Sequence, residues 1–540
     1  MPELAPRGPA MTHPDGSNPE DQSEAIEFLS RAETYGVDSP VLRRETHAAI
    51  VFLAGPFAYK LKRAVRYSYL DYSTVSRRRA MCEAELAVNR RTAPDLYIRV
   101  QPVVRQNGSL AFGSGSDADR ALDWLVVMRR FAESDLLEQK LGAGEVSPAL
   151  MCELADVIAG FHQSAEHVSG FGGAAAIART IDESRKLIGS FEPGTFAAGT
   201  AERFGSPAGQ ALAHARDLLD HRRESGFVRR CHGDLHLNNI CILDGHPVLF
   251  DAIEFNDDFS NIDVFYDLAF LLMALDRRGS RAAANVVLNR YLERTSDYGG
   301  IGALPLFLAC RASVRAHVDA TAALKLAGNE AEKLRTHAVA NAQKALAYLS
   351  PRSPELIAIG GISGTGKSVL ARNLAPSIGA VPGAVVLRSD VIRKRRFGVS
   401  DETRLPDTAY TSRVTDSVYA EMRTTAELLL RAGHSVVADA VHGRPDEAAE
   451  IQAVAQRTNA RFSGIWLDAD IAAIAERLAH RSGDVSDAGI AVARQQTNYV
   501  TRPSGWPVLD VTHVNANDCA AAAARMLNLA PFDASSSVYV

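Results

Sequence analysis

One octapeptide constrains this chain more than any other feature: Gly361-Ile362-Ser363-Gly364-Thr365-Gly366-Lys367-Ser368. It fits G-x-x-x-x-G-K-[ST]. The glycines let successive backbone N–H groups turn inward around phosphate oxygens. Lys367 reaches the β/γ-phosphates, and the Ser368 hydroxyl can ligate Mg2+. Context makes the match specific, because an apolar strand at 356–359 precedes it and a helix over 369–374 follows. Further strands at 385–387, 435–438, 462–467 and 508–511 alternate with helices, a βαβ series that implies a parallel sheet.

A chain of 540 residues is too long for one ordinary core, so two or three domains are expected. Pro351-Arg352-Ser353-Pro354 breaks a long helical pattern and sets a boundary near 350, with a linker short enough that the domains should pack together. The proline-rich residues 1–22 read as a disordered arm. Over 23–350 the pattern gives a β-hairpin (48–53 and 57–62 around Ala54-Gly55-Pro56), a charged helix at 77–91 and an apolar strand at 125–128. Beyond 145 it is mostly helix, broken near 231–255 by a strand–loop–strand segment. Residues 351–530 form the second domain, and 531–540 read as a frayed tail. The fold class is therefore α+β followed by α/β.

Composition narrows the function classes. Hydrophobic residues make up 46%, charged residues 23%, and net charge is −5, which argues against bulk nucleic-acid binding. The basic run Arg393-Lys394-Arg395-Arg396 reads as a solvated helix face. Six cysteines without a CxxC pair read as reduced thiols. The N-terminus has no apolar h-region, and no run of about 18 apolar residues is visible, so no membrane span and a cytoplasmic location are expected.

The region 355–510 resembles the small P-loop kinases, the group of polynucleotide, gluconate and zeta-toxin-like kinases. After the second strand comes Ser389-Asp390-Val391-Ile392-Arg393. The resemblance implies that Asp390 accepts the acceptor-hydroxyl proton and that Arg393 holds phosphate or substrate. A helix cap is the structural alternative for Asp390. By the same resemblance Asp439, closing the third strand, touches Mg2+ or the acceptor. Arg477 and Arg481, followed by Ser482-Gly483-Asp484, look like a lid that neutralises the transferring phosphoryl group, with a solvated basic face as the alternative.

Cys231-His232-Gly233-Asp234-Leu235-His236-Leu237-Asn238-Asn239 resembles the catalytic loop of the aminoglycoside phosphotransferase and choline kinase-like fold, which is protein-kinase-like. The resemblance implies Asp234 at the acceptor hydroxyl and Asn239 on Mg2+. Gly233 stands where protein kinases carry the arginine that pairs with a phosphorylated loop, which favours a small-molecule kinase. Asp251, after a second apolar strand, takes the position of the metal-binding aspartate, with Glu254 behind it. Phe57-Ala58-Tyr59-Lys60 resembles the strand of the phosphate lysine. Lys60 is preferred and Lys62, on the same face, is the alternative; Glu85 is the expected ion-pair partner, with Glu83 second. His232 and His236 as zinc ligands fit poorly, since Gly233 and Asn238-Asn239 favour a turn. No G-x-G-x-x-G precedes Lys60, which leaves ATP or GTP open there. Arg311, Arg315 and Asp319 share one helical face, either a wall for an anionic acceptor or a surface salt-bridge face.

The whole chain resembles a bacterial fusion described as bifunctional aminoglycoside phosphotransferase-like/ATP-binding protein. The expected activity is transfer of phosphoryl from ATP, with Mg2+, to a hydroxyl of a small molecule such as a sugar or aminosugar. One active kinase with a degenerate partner, or an ATP-hydrolysing switch, are the alternatives.

Overall fold

The computed structural model describes residues 20–67, 70–350, 352–480 and 485–529. Its first sheet is antiparallel, with strands in the spatial order Leu42–Glu45, Ala49–Ala54, Phe57–Lys62, Ala121–Arg129, Tyr97–Gln106 and Ser109–Phe112. The two-residue period sorts its faces. Ile50, Phe52, Tyr59, Leu61, Leu125 and Val127 pack together with Leu29, so Lys60 and Lys62 project from the opposite face. The helix Val75–Asn89 covers that face, where Cys82 packs with Trp124 and Val126. Thr74 caps the helix by accepting from Arg77 N.

Residues 20–22 correct the expected arm, because they are part of this lobe. The Gln22 amide donates to Lys62 O at 2.9 Å and to Asp123 at 2.7 Å, and its oxygen accepts from Ala64 N at 2.7 Å. Glu20 pairs with Arg78, whose buried guanidinium also meets Asp123 at 2.8 Å. A buried ion pair persists only when its remaining polar atoms are satisfied, and this segment satisfies them. The rest of the expected arm (1–19) and the tail (531–540) lie outside the described residues.

The helical lobe contains Pro148–Ser164, Gly173–Ser190, Thr200–Glu224, Val264–Arg277, Arg281–Thr295, Leu304–Ala323 and Gly328–Leu349. At the expected interruption, the strands Ile240–Leu243 and His246–Leu249 pair as a hairpin. The helical stretch Tyr298–Ala323 is long and apolar enough to cross a membrane by length and composition, but it is interrupted by Arg311 and Arg315, and 72% of its apolar window is buried inside the protein. It is a core helix, with Leu304, Phe307 and Leu308 at its centre.

The second sheet has five strands, all parallel, in the order Val385–Arg388, Val436–Asp439, Glu355–Gly360, Arg461–Asp468 and Val508–Asp510. Its first strand lies at the edge, and the helix Arg281–Thr295 of the preceding lobe lies along it. Asn289 accepts from Val386 N at 2.7 Å, while Asn285 and Asn289 donate to Ala384 O at 3.0 and 3.2 Å. Those side chains pair backbone groups that a sheet edge otherwise leaves open. Gly383 permits the approach: at φ +126°, a Cβ there would sit 2.5 Å from Ala375 O and 2.8 Å from Asn285 Nδ2. Arg290 adds a second bridge, meeting Asp156 at 2.7 Å and Asp401 at 2.5 Å.

The basic run is not a solvated face. Arg393 and Lys394 are buried, Lys394 meets Asp487 at 3.1 Å, and Arg395 and Arg396 converge on Glu421 at 2.5 and 2.8 Å. Arg395 is half-buried and Arg396 exposed, but each cation of the run has a partner, which leaves no free basic patch there.

Asn289→Ala strands Val386 N without its partner. We expect a loss of about 1–3 kcal/mol, the cost of an unsatisfied buried donor, read as a lowered midpoint in thermal unfolding. An unchanged midpoint would show that the edge strand does not rely on this side chain.

Candidate functional site

In the first lobe the sheet, its covering helix and the loop after the hairpin converge on one buried carboxylate. Glu85 has no exposed side-chain surface; Lys60 Nζ lies 2.8 Å from one of its oxygens and Lys62 Nζ 2.6 Å from the other. Burial alone would raise the Glu85 carboxyl, but the two ammonium groups outweigh it and hold it at about 2. Lys60 also meets Asp251 at 2.6 Å, and Lys62 meets Glu254 at 2.6 Å. Desolvation opposes the charge on both lysines, yet the facing carboxylates keep them protonated, well above the ordinary lysine range.

The lysine alternatives now separate. Lys62 is 2% exposed and enclosed by Glu85, Glu254 and Tyr72, so it is an internal counter-ion and not a nucleotide ligand. Lys60, 15% exposed, faces Asp251 in the cleft. Glu83 is exposed and pairs with Arg79 at 2.9 Å, which leaves Glu85 as the partner. Asp251 sits at φ +61°, a conformation non-glycine residues seldom adopt. Two neighbours support it: Asp251 N donates to Tyr97 OH at 3.1 Å, and Ala252 N donates to Asn89 Oδ1 at 2.8 Å.

The loop with Asp234 is organised from beneath. Buried Asp267 accepts from His232 N and Gly233 N, both at 3.0 Å, and its carboxylate also meets His162 at 3.2 Å. Gly233 is required where protein kinases carry arginine, since at φ +85° a Cβ would lie 2.7 Å from Phe259 O. Asn239 Nδ2 donates to Asp234 Oδ2 at 3.0 Å, and His236 Nε2 lies 3.3 Å from the same oxygen. Burial would raise Asp234, but His236, then Arg315 and His232, hold it below the usual carboxylate range, so it is ionised at neutral pH. His232 Nε2 points to Phe250 O at 2.9 Å, away from His236's partner, so the two histidines form no shared site.

Arg315 therefore stands on the Asp234 side, tied to Asp319 at 2.7 Å. Arg311 does not line a pocket wall or a surface face. It is buried, its guanidinium 3.9 Å from the Tyr266 ring centre and 3.9 Å from Asp267, where it supports the loop from below.

The second site lies at the carboxyl ends of the parallel strands, where ligands of open α/β sheets bind. Gly361, at φ +141°, leaves no room for a Cβ, which would meet Leu467 O at 2.6 Å. Ser363 N donates to Gln496 Oε1 at 2.7 Å, Thr365 Oγ1 to Ile362 O at 2.8 Å, and Lys367 Nζ to Ile362 O at 3.0 Å. Gly364 and Gly366 hold φ near +88° and +89°. Ser368 Oγ donates to Asp439 Oδ2 at 2.5 Å, so the hydroxyl and the carboxylate meet at one point. Asp390 is in the first turn of the helix Ser389–Arg396; the cap position is Arg388, without a side-chain cap bond. Arg393 donates to Ala409 O at 2.6 Å and stacks over Tyr410 at 4.9 Å, so it holds the 407–410 turn.

The lid reading changes. Arg477 donates to Val511 O and Thr512 O and is turned to the end of the last strand, not to the loop. Arg481 lies outside the described residues, as do residues 482–484. The same helix, Ile471–Ala479, instead packs Ile474 and Leu478 against Gly364. Sequence reasoning missed Asp267, Asn89, Tyr97 and Gln496, which carry no motif and act through neighbours distant in sequence.

Residues 74–304 match the family model described as phosphotransferase enzyme family, and residues 356–503 match that described as AAA domain. The chain is 30% identical over 457 residues to uncharacterized protein Rv2004c of Mycobacterium tuberculosis, covering 83% of this chain and 88% of that protein. Mycobacterium bovis protein Mb2027c matches with the same figures. Among solved structures, a choline/ethanolamine kinase family protein from Mesorhizobium loti aligns at 13% identity over 60% of this chain and 97% of its own, with a TM-score of 0.37. A gluconokinase from Sinorhizobium meliloti 1021 aligns at 20% identity over 33% of this chain and 95% of its own, with a TM-score of 0.25.

The Glu85 network generates a pH-dependent expectation. A carboxyl held at about 2, below its ordinary 4.5, adds stability that is fully present above pH 4.5 and disappears as pH falls toward 2. Thermal unfolding from pH 7 to about pH 3 should show wild type ahead of Glu85→Gln by a margin that is constant at the upper end and shrinks at the lower. A margin that widens on acidification would contradict the ion-pair account.

Proposed function

The chain belongs to the family that joins a phosphotransferase domain to a P-loop kinase-like domain, and from that premise we propose a cytoplasmic, ATP-using kinase with two separate nucleotide sites. Phosphoryl transfer to small molecules is the family's chemistry; two-site ATP use and the acceptor class are our reading. The division between the sites falls at 350/351. The observation that carries the proposal is that each side of it holds its own cation–carboxylate set. On one side Lys60, Glu85 and Asp251 are connected, next to Asp234 and Asn239. On the other, Lys367 adjoins the Ser368–Asp439 pair.

The donors available for a metal are carboxylate, amide and hydroxyl oxygens, the hard ligands that suit Mg2+. Asn239 and Asp251 would hold it at the first site, Ser368 and Asp439 at the second. When bound, Mg2+ neutralises charge on the phosphate oxygens. The chain's own residues supply the rest. Lys60 and Lys367 hold the phosphates; Asp234 and Asp390 orient the acceptor hydroxyl and accept its proton. The bond from the acceptor oxygen to the γ-phosphorus forms as the bond to the β–γ bridging oxygen breaks. The acceptors we favour are small hydroxylated molecules, sugars, aminosugars or related metabolites, with Arg315 on the acceptor side of the first site. ATP is the preferred donor, with GTP the alternative at the first site.

Calorimetry with Mg-ATP should count two equivalents in the intact protein and one in Lys367→Ala. A wild-type count of one would favour a degenerate partner domain instead. Mass-spectrometric screening of a hydroxyl-bearing metabolite pool should find a phosphorylated product; free phosphate alone would favour an ATP-hydrolysing switch.

With an acceptor in hand, Asp234→Asn and Asp390→Asn should each slow transfer at their own site by about 10²–10⁴-fold while nucleotide affinity stays within a few-fold. A fully active Asp390→Asn protein would place the proton acceptor elsewhere, with Asp439 next.

A further inference from the structure

One aromatic ring at the second site is held more firmly than a surface residue requires. Tyr410 closes the short helical turn Asp407–Tyr410 and is 43% exposed. A single exposed ring is ordinary on a protein surface. This one has several groups committed to holding it. Its hydroxyl donates to Asp487 Oδ2 at 2.8 Å, and the same oxygen accepts from Leu405 N at 2.9 Å. The other Asp487 oxygen meets Lys394 Nζ at 3.1 Å. Behind the ring lies the buried Arg393 guanidinium, 4.9 Å from the ring centre, which also donates to Ala409 O at 2.6 Å. With its hydroxyl taken and one face backed by a cation, Tyr410 leaves open the opposite face of the ring.

That face stands beside the acceptor side of the site. Asp390 and Arg393 are three residues apart in the helix Ser389–Arg396, so they share one side of it. The ring that covers Arg393 therefore neighbours Asp390. Electrostatics agrees with this placement. Burial, then the Asp487 bond and then the Asp390 charge push the Tyr410 phenol above its ordinary range, so the hydroxyl stays a donor at neutral pH. A rigid aromatic surface next to the group that receives a hydroxyl suits a ligand with one flat apolar side. A sugar ring has such a side, because C–H groups gather on a face while the hydroxyls point outward. An open-chain polyol of the same size has none until several of its bonds are frozen, an ordering cost that the ring does not carry.

We propose that Tyr410 is an acceptor-contacting, specificity-determining residue of the P-loop site, and that the acceptor there is a cyclic sugar whose C–H face lies on its ring while one hydroxyl reaches Asp390. The inference rests on reading Asp390 as the base that faces the acceptor, beside a nucleotide held by Lys367. It narrows the acceptor from small hydroxylated molecules in general to their ring forms. Tyr410 touches the sugar away from the reacting hydroxyl, so it acts on acceptor binding and not on the chemical step.

The test is a transfer assay on the full-length protein with Mg-ATP, with Asp234→Asn silencing transfer at the first site. The probes are D-glucose, D-galactose, D-ribose and N-acetyl-D-glucosamine, each beside its reduced open-chain alditol. At least one ring should be phosphorylated with kcat/KM at least about tenfold above that of its alditol. For that sugar Tyr410→Leu should raise KM at least about tenfold with kcat within about threefold, and Tyr410→Phe should recover KM to within about threefold. Both variants lose the Asp487 bond, and only Leu loses the flat face. Equal losses would therefore mark a structural role and overturn the proposal. Absence of product from every ring, or alditols used as well as rings, would overturn it too. Tyr410→Gln replaces Tyr410→Leu under the same criteria if the latter does not fold. Two controls separate the premise from the inference. Lys367→Ala must abolish the product; product that survives arises elsewhere and overturns the P-loop reading. An Asp390→Asn protein with unchanged kcat removes Asp390 as the base, and with it the basis for placing the sugar on Tyr410.

Discussion

A parallel sheet ends in a strand whose outer polar groups need partners, and the way this one obtains them governs the relation between the two halves of the chain. Asn285 and Asn289 satisfy the edge strand Val385–Arg388 and its approach from the helix Arg281–Thr295. The same helix carries Tyr291, whose hydroxyl meets His162 Nδ1 at 2.9 Å. His162 in turn bonds Asp267, which holds the backbone of the Asp234 loop. One helix therefore supports the loop of the first site and the strand that leads into the second. The halves are not beads on a linker. Gly383 is part of the same arrangement, because any side chain there would displace Asn285.

Charge is balanced differently at the two sites, and the difference follows from what each element can offer. A strand and a helix bring side chains, so the first site pairs two lysines with Glu85, Asp251 and Glu254 in a buried network. Removing one member of such a network would leave an uncompensated charge away from water, which is far more costly than the pair itself is stabilising. A glycine-rich turn brings backbone N–H groups, so the second site needs few side chains and instead demands left-handed backbone at Gly364 and Gly366.

That contrast explains what was legible in the sequence. The phosphate loop is readable because each glycine answers to local backbone geometry, and the Asp234, Asn239 and Asp251 placements are implied by the resemblance to a kinase catalytic loop, the three residues flanking one short hairpin. Lys60 and Lys62 could not be separated by periodicity, since both lie on one face; only depth, set by Tyr72 and Glu254, distinguishes them. The run Arg393 to Arg396 misled for the same reason. Its partners Asp487, Glu421 and the Ala409 carbonyl are remote in sequence, and no local pattern records them. Helical spacing groups Arg477 with Arg481 and Arg311 with Arg315, but Arg477 turns to a strand end and Arg311 lies beneath a loop. Asp267 and Asn289 sit inside helices without any motif, although their hydrogen bonds position both sites.

On the proposed reading, groups at both sites make internal contacts that a nucleotide would replace. At the first, Asp251 is paired with Lys60. At the second, Gln496 takes the Ser363 N–H, and Lys367 donates to a carbonyl of its own loop. Phosphate oxygens can take over the Lys60, Lys367 and Ser363 contacts because they present the same kind of acceptor. The exchange lowers net affinity by whatever the internal contacts were worth.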